Sequence, residues 1–294
     1  MHRIKQGLFQ PRICIQIGLF TNVALTGFKF LAGIIGLSRA MIADALHSLS
    51  DILTTVVVYI GIQIGERSAD EKHPYGHGNA ETIAASLVAL IIFGIGAYAG
   101  ISAVLTIINK QFKAPLNIAL LAALISIVIK ESLFRYTIKV GRVSNNPAVE
   151  ADAWHHRSDA YSSIAALIGI SGAKLSLLYL DPLAGLIVSG FIIRIAARLI
   201  NTNIRIMMDE RPKTNFINNI KDVVRKTEGV EKIDSIKVHR RGSYFTIDLE
   251  IAVDGRITVD EGHRVAANVK DNIRKRIQHI GDVMVHVNPY KPGR

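Results

Sequence analysis

Two segments of the sequence carry histidine and aspartate at matched spacing. ADALHSLSD occupies residues 43–51 and ADAWHHRSD residues 151–159, so both fit A-D-A-x-H-x-x-S-D and agree at six of nine positions. Residues four apart lie on one face of a helix, so each copy offers one imidazole and one carboxylate. The four side chains are His47, Asp51, His155 and Asp159. Two nitrogens and two oxygens form a ligand set for tetrahedral Zn²⁺ or a similar divalent cation.

Both segments lie within apolar stretches, so their ionisable groups are expected to lie inside the membrane. Inside a bilayer such groups are costly without partners, and they usually mark an ion pathway. One alternative is structural, with His–Asp pairs that hydrogen-bond across the helices only to satisfy each other. The two matched pairs favour the metal site, because one pair would suffice for packing.

The direction of the helices predicts which of these residues meet. If both chain termini lie inside, the helix with the first copy runs inward and the helix with the second copy runs outward. The two copies are then antiparallel. His47 should face Asp159, and Asp51 should face His155.

Other polar residues near the two copies have more than one interpretation. Asp44 and Asp152 each precede a histidine by three residues and should fall at opposite ends of the site. Asp44 would collect cations at the outer mouth and Asp152 at the inner one, unless Asp152 caps a helix. His156 lies at the wrong helical angle for the site, and Arg157 should point toward lipid headgroups or the inner surface. An arginine or lysine in the site would oppose cation exchange.

The chain has enough apolar sequence to cross a membrane six times. Its 294 residues are 49% hydrophobic, with a mean hydropathy of +0.29, which is too apolar for an ordinary soluble domain. About 20 apolar residues cross the hydrocarbon core of a bilayer. The six expected spans are 13–37, 41–64, 82–108, 116–138, 155–178 and 182–200. We expect an integral membrane protein of the bacterial inner (plasma) membrane.

The distribution of charge predicts the orientation and the partners. Lysine and arginine are more frequent in the loops on the side that holds the termini, which predicts cytoplasmic termini. A net charge of +11 is expected of cytoplasmic loops near anionic lipid, so the lipid bilayer is the predicted partner and nucleic acid is not. The single cysteine, Cys14, excludes an internal disulfide and a cysteine-cluster metal site, and we expect it to be a packing residue.

From about residue 209 the pattern becomes that of a small soluble domain. Charges become frequent, and the periodicity predicts helix, strand, strand, helix, strand, an αββαβ order of the ferredoxin or metallochaperone-like α+β type. In YFTIDLEIAV alternate residues share a face, so the apolar residues face the helices and Asp248 points away. The expected domains are 1–208 in the membrane and 209–294 in the cytoplasm.

These features together resemble the cation diffusion facilitator family: six spans, H-x-x-x-D in the second and fifth, and a cytoplasmic αββαβ domain. The loop DEKHPYGHGNAE at residues 70–81 is similar to that family's loop between the second and third spans. The resemblance implies a homodimeric antiporter that exchanges cytoplasmic divalent metal for protons. It makes 1–208 the transport domain and 209–294 a regulatory and dimerisation domain, and it assigns the transport site to the four residues of the repeated motif.

The resemblance also implies two further metal sites. The loop site carries over to Asp70, His73 and His77, where a carboxylate and two imidazoles on a short loop can wrap a metal. The alternative is that the two histidines only cap helix ends. Many relatives have a lysine where this chain has Asn79. The cytoplasmic site carries over to Asp234, Asp248, His263, His286 and Asn288, with His239 as a nearby candidate. For this set the alternative is a group of solvated polar residues on an exposed face.

The predicted function is transport rather than catalysis. A membrane-embedded metal-dependent enzyme would need an open coordination position and a general base, and the sequence contains no H-E-x-x-H motif. A metal sensor that no longer transports is the other alternative, and the two complete His–Asp pairs argue against it. Zn²⁺ is the predicted substrate and regulator, although Fe²⁺, Co²⁺, Cd²⁺ and Mn²⁺ accept similar ligands. Protons are the expected counter-ion, because proton and metal compete for the same imidazole nitrogen.

Overall fold

The computed structural model describes residues 11–144, 146–242 and 244–290. Six long helices come first: α1 (Pro11–Ile35), α2 (Arg39–Gly65), α3 (Asn79–Ile108), α4 (Asn117–Ser144), α5 (Pro147–Lys174) and α6 (Leu180–Met207). The remaining elements are α7 (Thr214–Arg225), β1 (Lys232–Arg241), β2 (Tyr244–Val253), α8 (Val259–Arg276) and β3 (Ile280–Pro289). The predicted six helices and the αββαβ order are both confirmed.

The helices differ in how well their composition suits a membrane. By length and hydropathy α1, α2, α3, α4 and α6 could each cross a bilayer. The remaining helix, α5, is as long as α6, at 28 residues, but its first half carries the polar ADAWHHRSDAYSS segment. Its second half is apolar, and we treat it as the sixth span.

The six long helices carry large apolar side chains outside and small ones inside. Phe20 is 77% exposed and Leu31 62% exposed, as expected of side chains that face lipid tails. Small residues between helices let the backbones approach closely. The buried cluster between the helices consists mostly of alanine: Ala32, Ala40, Met41, Ala119, Ala122, Ala123, Ala166, Ile170 and Ala184.

The start of α2, which carries the first copy of the motif, is fixed by polar contacts to α6. The Ser38 hydroxyl accepts a hydrogen bond from the backbone N–H of Met41 at 3.0 Å, which caps the helix. Asp181, at the start of α6, accepts from the Ser38 hydroxyl at 2.5 Å and from the backbone N–H of Arg39 at 2.7 Å. This buried carboxylate joins the first turns of the two helices.

Helices α4 and α5 approach closely where the chain turns between them. A Cβ added to Gly141 would lie 2.9 Å from the backbone nitrogen of Glu150, so the glycine permits this contact. Cys14 packs on the junction with Val140 and Val149 and is 1% exposed, which is the packing role expected for it. The contact places the middle of α4 beside the second copy of the motif on α5.

The αββαβ segment builds a three-stranded sheet with its helices on one face. The strand order is β1-β2-β3, with β1 antiparallel and β3 parallel to β2. Ile247, Leu249 and Ile251 are at most 1% exposed and pack on α7 and α8, whereas Asp248 is exposed on the other face. A capping box between Thr258 and Glu261 starts α8.

Contacts between residues divide the chain into two compact units. One unit contains residues 11–56 and 87–199, and the other contains 57–86 and 200–290. Each candidate metal cluster lies within one unit.

The glycines of α3 predict a difference in stability between two matched variants. A Cβ at Gly96 would lie 3.0 Å from side-chain atoms of Ile192 and Ile193, whereas a Cβ at Gly94 would have no neighbour within 4 Å. Gly96→Val should therefore destabilise the bundle by roughly 1–3 kcal/mol through overpacking between α3 and α6. Gly94→Val changes the same residue type in the same helix without the clash. Thermal unfolding in detergent tests this, and equal melting temperatures for the two variants would contradict the packing.

Candidate metal sites

The two copies of the motif meet between α2 and α5. His47 Nε2 lies 3.9 Å from Asp159 Oδ1, and His155 Nε2 lies 3.9 Å from Asp51 Oδ2. These are the two pairings expected of antiparallel copies. Ligand atoms of His47, Asp51 and Asp159 lie within 4.8 Å of one another, which is close enough for one cation to contact all three.

The fourth residue of the motif stands at the edge of this cluster. The His155 side chain is 46% exposed, and its Nδ1 lies 3.9 Å from Asp159 Oδ1. It is therefore within reach of both carboxylates but is not part of the three-residue group. Three of the four candidate ligands therefore form one group, and the fourth is an exposed imidazole beside it.

Two carboxylate oxygens in this cluster are buried without hydrogen-bond partners. They are Asp51 Oδ2 and Asp159 Oδ1. Buried polar atoms are normally hydrogen-bonded, so each such exception needs an explanation. Both oxygens point toward an imidazole of the opposite copy, and a bound cation would satisfy them together.

A lysine that the sequence analysis missed contacts the same cluster. Lys130 of α4 is 2% exposed, and its Nζ donates to Asp159 Oδ2 at 2.6 Å and to Asn22 Oδ1 at 2.8 Å. We considered a lysine in the site unfavourable to cation exchange, and the structure places one there. The signal was present in the sequence, because a lysine after the apolar run LAALISIVI needs a buried partner.

The expected role of Asp44 at an outer mouth does not fit the structure. Its carboxylate is completely buried and forms an ion pair with Lys29 Nζ at 2.8 Å. Hydroxyl groups of Ser162 and Ser163 donate to its two oxygens, both at 2.8 Å. Both oxygens are therefore occupied by helix-to-helix contacts and do not face an opening for cations.

The remaining polar residues of the second copy face away from the cluster. His156 is buried against α1, where a Cβ on Gly18 would lie 3.3 Å from its Nε2, and that nitrogen lies 3.6 Å from Asp152 Oδ2. Arg157 was expected to point toward headgroups or the inner surface. Its guanidinium stacks 4.5 Å above the centre of the Phe134 ring, and its position relative to the headgroups stays a prediction.

A second cluster lies on the loop between α2 and α3. Ligand atoms of Asp70, His73 and His77 lie within 4.8 Å of one another. His73 Nδ1 is 3.0 Å and His77 Nε2 3.5 Å from the Asp70 carboxylate. Gly76, at φ +79°, makes the turn that returns the chain toward His77. The loop therefore gathers one carboxylate and two imidazoles at the surface.

Backbone contacts hold the Asp70 carboxylate in place within the loop. The backbone N–H groups of His73 and Lys72 donate to Asp70 Oδ1 at 2.6 and 2.9 Å. The hydrogen bond from the His73 N–H, followed by the His73 side chain, lowers the pKa of the Asp70 carboxyl. This group stays ionised at mildly acidic pH, so Oδ2 keeps its negative charge for a cation.

Within one protomer, the candidate metal ligands of the cytoplasmic domain form no cluster among the described residues. Asp234 accepts from Asn288 Nδ2 at 3.2 Å. Asp248 is aligned with Met284, whereas His286 is aligned with Glu250 on the neighbouring strand. In the described part of the chain, no group of three possible metal ligands includes Asp234, Asp248, His263 or His286. His239, the further candidate, has Nδ1 3.5 Å from Asp209 Oδ1.

Comparison with known proteins identifies the family. Residues 15–208 match the cation efflux transmembrane domain, and residues 212–290 match the cytoplasmic domain of cation efflux proteins. The manganese efflux system protein MneP of Bacillus subtilis is 34% identical over 281 residues, covering 93% of this chain and 94% of MneP. Magnetosome protein MamB of Magnetospira sp. is 34% identical over 272 residues, covering 92% of this chain and 93% of MamB.

Solved structures of the MamM CTD are similar to one part of the chain. A structure of the MamM CTD in a nickel form covers 27% of this chain and all of that chain, with 19% identity and a TM-score of 0.26. The family assignment depends on the two family models and on the relatives matched over most of this chain. These matches point to a metal transporter rather than an enzyme. This chain belongs to the cation diffusion facilitator family, and it is an integral membrane protein for the efflux of divalent metal cations.

Proposed function

We propose that the chain exports a divalent transition-metal cation from the cytoplasm in exchange for protons, by alternating access in a homodimer. The meeting of His47 and Asp51 with Asp159, with His155 at the edge, carries this proposal. A cation between α2 and α5 would satisfy both unpartnered carboxylate oxygens. The ligands come from two different helices, so a relative movement of those helices can open the site to one side or the other.

The energetics of export support the exchange of metal for protons. With the cell interior negative by about 100 mV, expelling a divalent cation requires roughly 4.6 kcal/mol, at about 2.3 kcal/mol per charge. A passive pore would therefore run inward. An imidazole nitrogen binds either a proton or a metal, so His47 and His155 can couple the two movements.

The ligand set and the relatives favour different cations. Two imidazoles and two carboxylates suit four-coordinate Zn²⁺, and we propose Zn²⁺ as the first substrate to test. The similarity to a manganese efflux protein makes Mn²⁺ the main competitor, with Fe²⁺, Co²⁺ and Cd²⁺ as further candidates. A competition assay in proteoliposomes separates these ions.

The cellular arrangement follows from the same proposal. Residues 1–208 would form the transport domain and 209–294 a cytoplasmic domain for regulation and dimerisation, which the ranges of the two family matches support. Both termini would be cytoplasmic, in a bacterial inner membrane. The cytoplasmic candidates are separated within one chain, so we propose that a metal there binds between two protomers.

The first prediction concerns the transport site. Asp51→Ala should lower the rate of metal transport by about a hundredfold or more, because the loss of one of four ligands from a buried site costs several kcal/mol. Asp51 is the better position for this test, since Asp159→Ala would also leave Lys130 without its carboxylate partner. The measurement is metal flux into sealed proteoliposomes.

The matched control for this variant is Asp254→Ala. Asp254 is a carboxylate in the turn between β2 and α8, where it pairs with Arg256. This control should transport at the parent rate. Parent-like flux in folded Asp51→Ala protein would refute the transport site.

A second prediction concerns proton coupling at His47. Free imidazole titrates near pH 6.5 and a free aspartate carboxyl near 3.9. His47→Asp should keep transport active at lower pH and raise the Mn²⁺ to Zn²⁺ transport ratio, because a hard oxygen replaces a nitrogen. His47→Ala should do neither, since no ligand remains. Transport of both ions from pH 8 to 6 provides the test, and identical profiles for parent and variants would show that His47 is neither ligand nor proton carrier.

A third prediction concerns the loop cluster. His73→Ala/His77→Ala should lower the amount of Zn²⁺ bound at saturation by ~1 ion per chain, because two of three ligands are removed. Binding to the parent loop should weaken as pH falls, because protons compete with the metal for the imidazole nitrogens while Asp70 remains ionised. Equilibrium dialysis of the full chain measures both effects. His279→Asn removes a histidine outside the two clusters and should bind as the parent does. Unchanged stoichiometry in the double variant would contradict a loop site.

A further inference from the structure

Lys130 is a buried cation in contact with the proposed transport site. Its side chain is 2% exposed, and Nζ lies 2.6 Å from Asp159 Oδ2 and 2.8 Å from Asn22 Oδ1. A buried ammonium is stable only with such partners. These contacts come from α1 and α5, so the position of the ammonium is fixed by two helices besides its own.

The contact with Lys130 gives the two carboxylate oxygens of Asp159 different hydrogen-bonding. Oδ2 accepts the hydrogen bond from Lys130, whereas Oδ1 is buried without a hydrogen-bond partner. Oδ1 lies 3.9 Å from His47 Nε2 and 3.9 Å from His155 Nδ1. The oxygen that faces the imidazoles is therefore the free one, and the other is held away from them.

We propose that Lys130 determines cation specificity by holding Asp159 as a single-oxygen ligand. This inference rests on the proposed transport site. A carboxylate that binds through both oxygens raises the coordination number of its metal. With Oδ2 engaged by Lys130, Asp159 offers only Oδ1, and the site keeps four ligands. Four-coordination suits Zn²⁺, whereas Mn²⁺ prefers six oxygen-rich ligands.

The charge of Lys130 has a second consequence for transport. Asp51 and Asp159 carry a charge of −2 together when ionised, and Lys130 reduces this to −1. A divalent cation is then held less strongly than by the two carboxylates alone. A transported ion must leave the site as well as enter it. Lys130 therefore limits affinity and favours release.

A second buried lysine offers a matched comparison. Lys29 is completely buried and paired with Asp44 at 2.8 Å, but it contacts neither Asp51 nor Asp159 among its hydrogen-bond partners, Ser48 and Ser163. Removing Lys29 therefore also removes a buried ammonium from the bundle. It leaves the contact between Lys130 and Asp159 Oδ2 in place.

The test uses Co²⁺ as a probe of coordination in the full chain. Four-coordinate Co²⁺ absorbs visible light much more strongly than six-coordinate Co²⁺, so absorption reports ligand number. All proteins carry His73→Ala/His77→Ala to remove loop binding and Asp248→Ala/His286→Ala to remove binding in the cytoplasmic domain. Lys130→Met removes both donor and charge, while Lys130→Gln keeps a donor for Oδ2 and removes only the charge. Lys29→Met is the control for loss of a buried ammonium.

The expected results differ among these variants. Lys130→Met should lose most of the strong Co²⁺ absorption and raise the Mn²⁺ to Zn²⁺ transport ratio by about tenfold. Lys130→Gln should keep the absorption and bind Co²⁺ about tenfold more tightly, because one positive charge is gone. Lys29→Met should keep the parent absorption. If Lys130→Met does not fold, the Co²⁺ affinity and absorption of Lys130→Gln test the proposed role of Lys130.

Other outcomes would overturn the inference. Parent-like absorption and ion ratio in Lys130→Met, or unchanged or weaker Co²⁺ binding in Lys130→Gln, would exclude this role for Lys130. Asp51→Ala in the same series separates this failure from failure of the transport site. If Asp51→Ala is inactive and Lys130→Met behaves as the parent, only the specificity role is wrong. If Asp51→Ala also transports as the parent does, both proposals are wrong.

Discussion

A charged group inside a bilayer must have a partner within contact distance, and the arrangement of the six long helices follows from this constraint. Lys29 is paired with Asp44 and Lys130 with Asp159, and each pair joins two helices. These contacts connect α1 to α2 and α4 to α5. The helices that carry the two His–Asp motifs are thus held by ion pairs as well as by packing. The motif itself is the one place where buried carboxylate oxygens are left for a cation, among the residues described.

Small residues between the helices let the helices approach closely enough for these ion pairs to form. Lipid tails are as apolar as leucine, so large apolar side chains gain little by turning inward. The interior is therefore rich in alanine and glycine, which bring the helix backbones close enough for side chains such as Asp159 to be reached from α4. A transporter also needs helices that can shift against one another, and small, flat contacts between helices allow such movement.

The sequence predicted much of this arrangement, because its signals were local. Long apolar runs gave the six helices, alternation gave the sheet, and the repeated motif with opposite helix directions gave the His47–Asp159 and Asp51–His155 pairings. The partners of Lys130 and Asp44 were not predictable in this way. Which residue meets a buried charge depends on how different helices pack together, and no local pattern records it. Lys130 is 29 residues from Asp159, and Asp44 is 119 residues from Ser163.

The central claim is that one divalent cation binds between α2 and α5, and a metal-bound structure tests it most directly. Anomalous diffraction from crystals of the full chain with Zn²⁺, recorded on both sides of the zinc absorption edge, locates the ion independently of the protein atoms. The account predicts a zinc peak about 2.0–2.2 Å from nitrogen atoms of His47 and His155 and from oxygen atoms of Asp51 and Asp159. Zinc peaks only at the loop or in the cytoplasmic domain, with none between these four side chains, would contradict it.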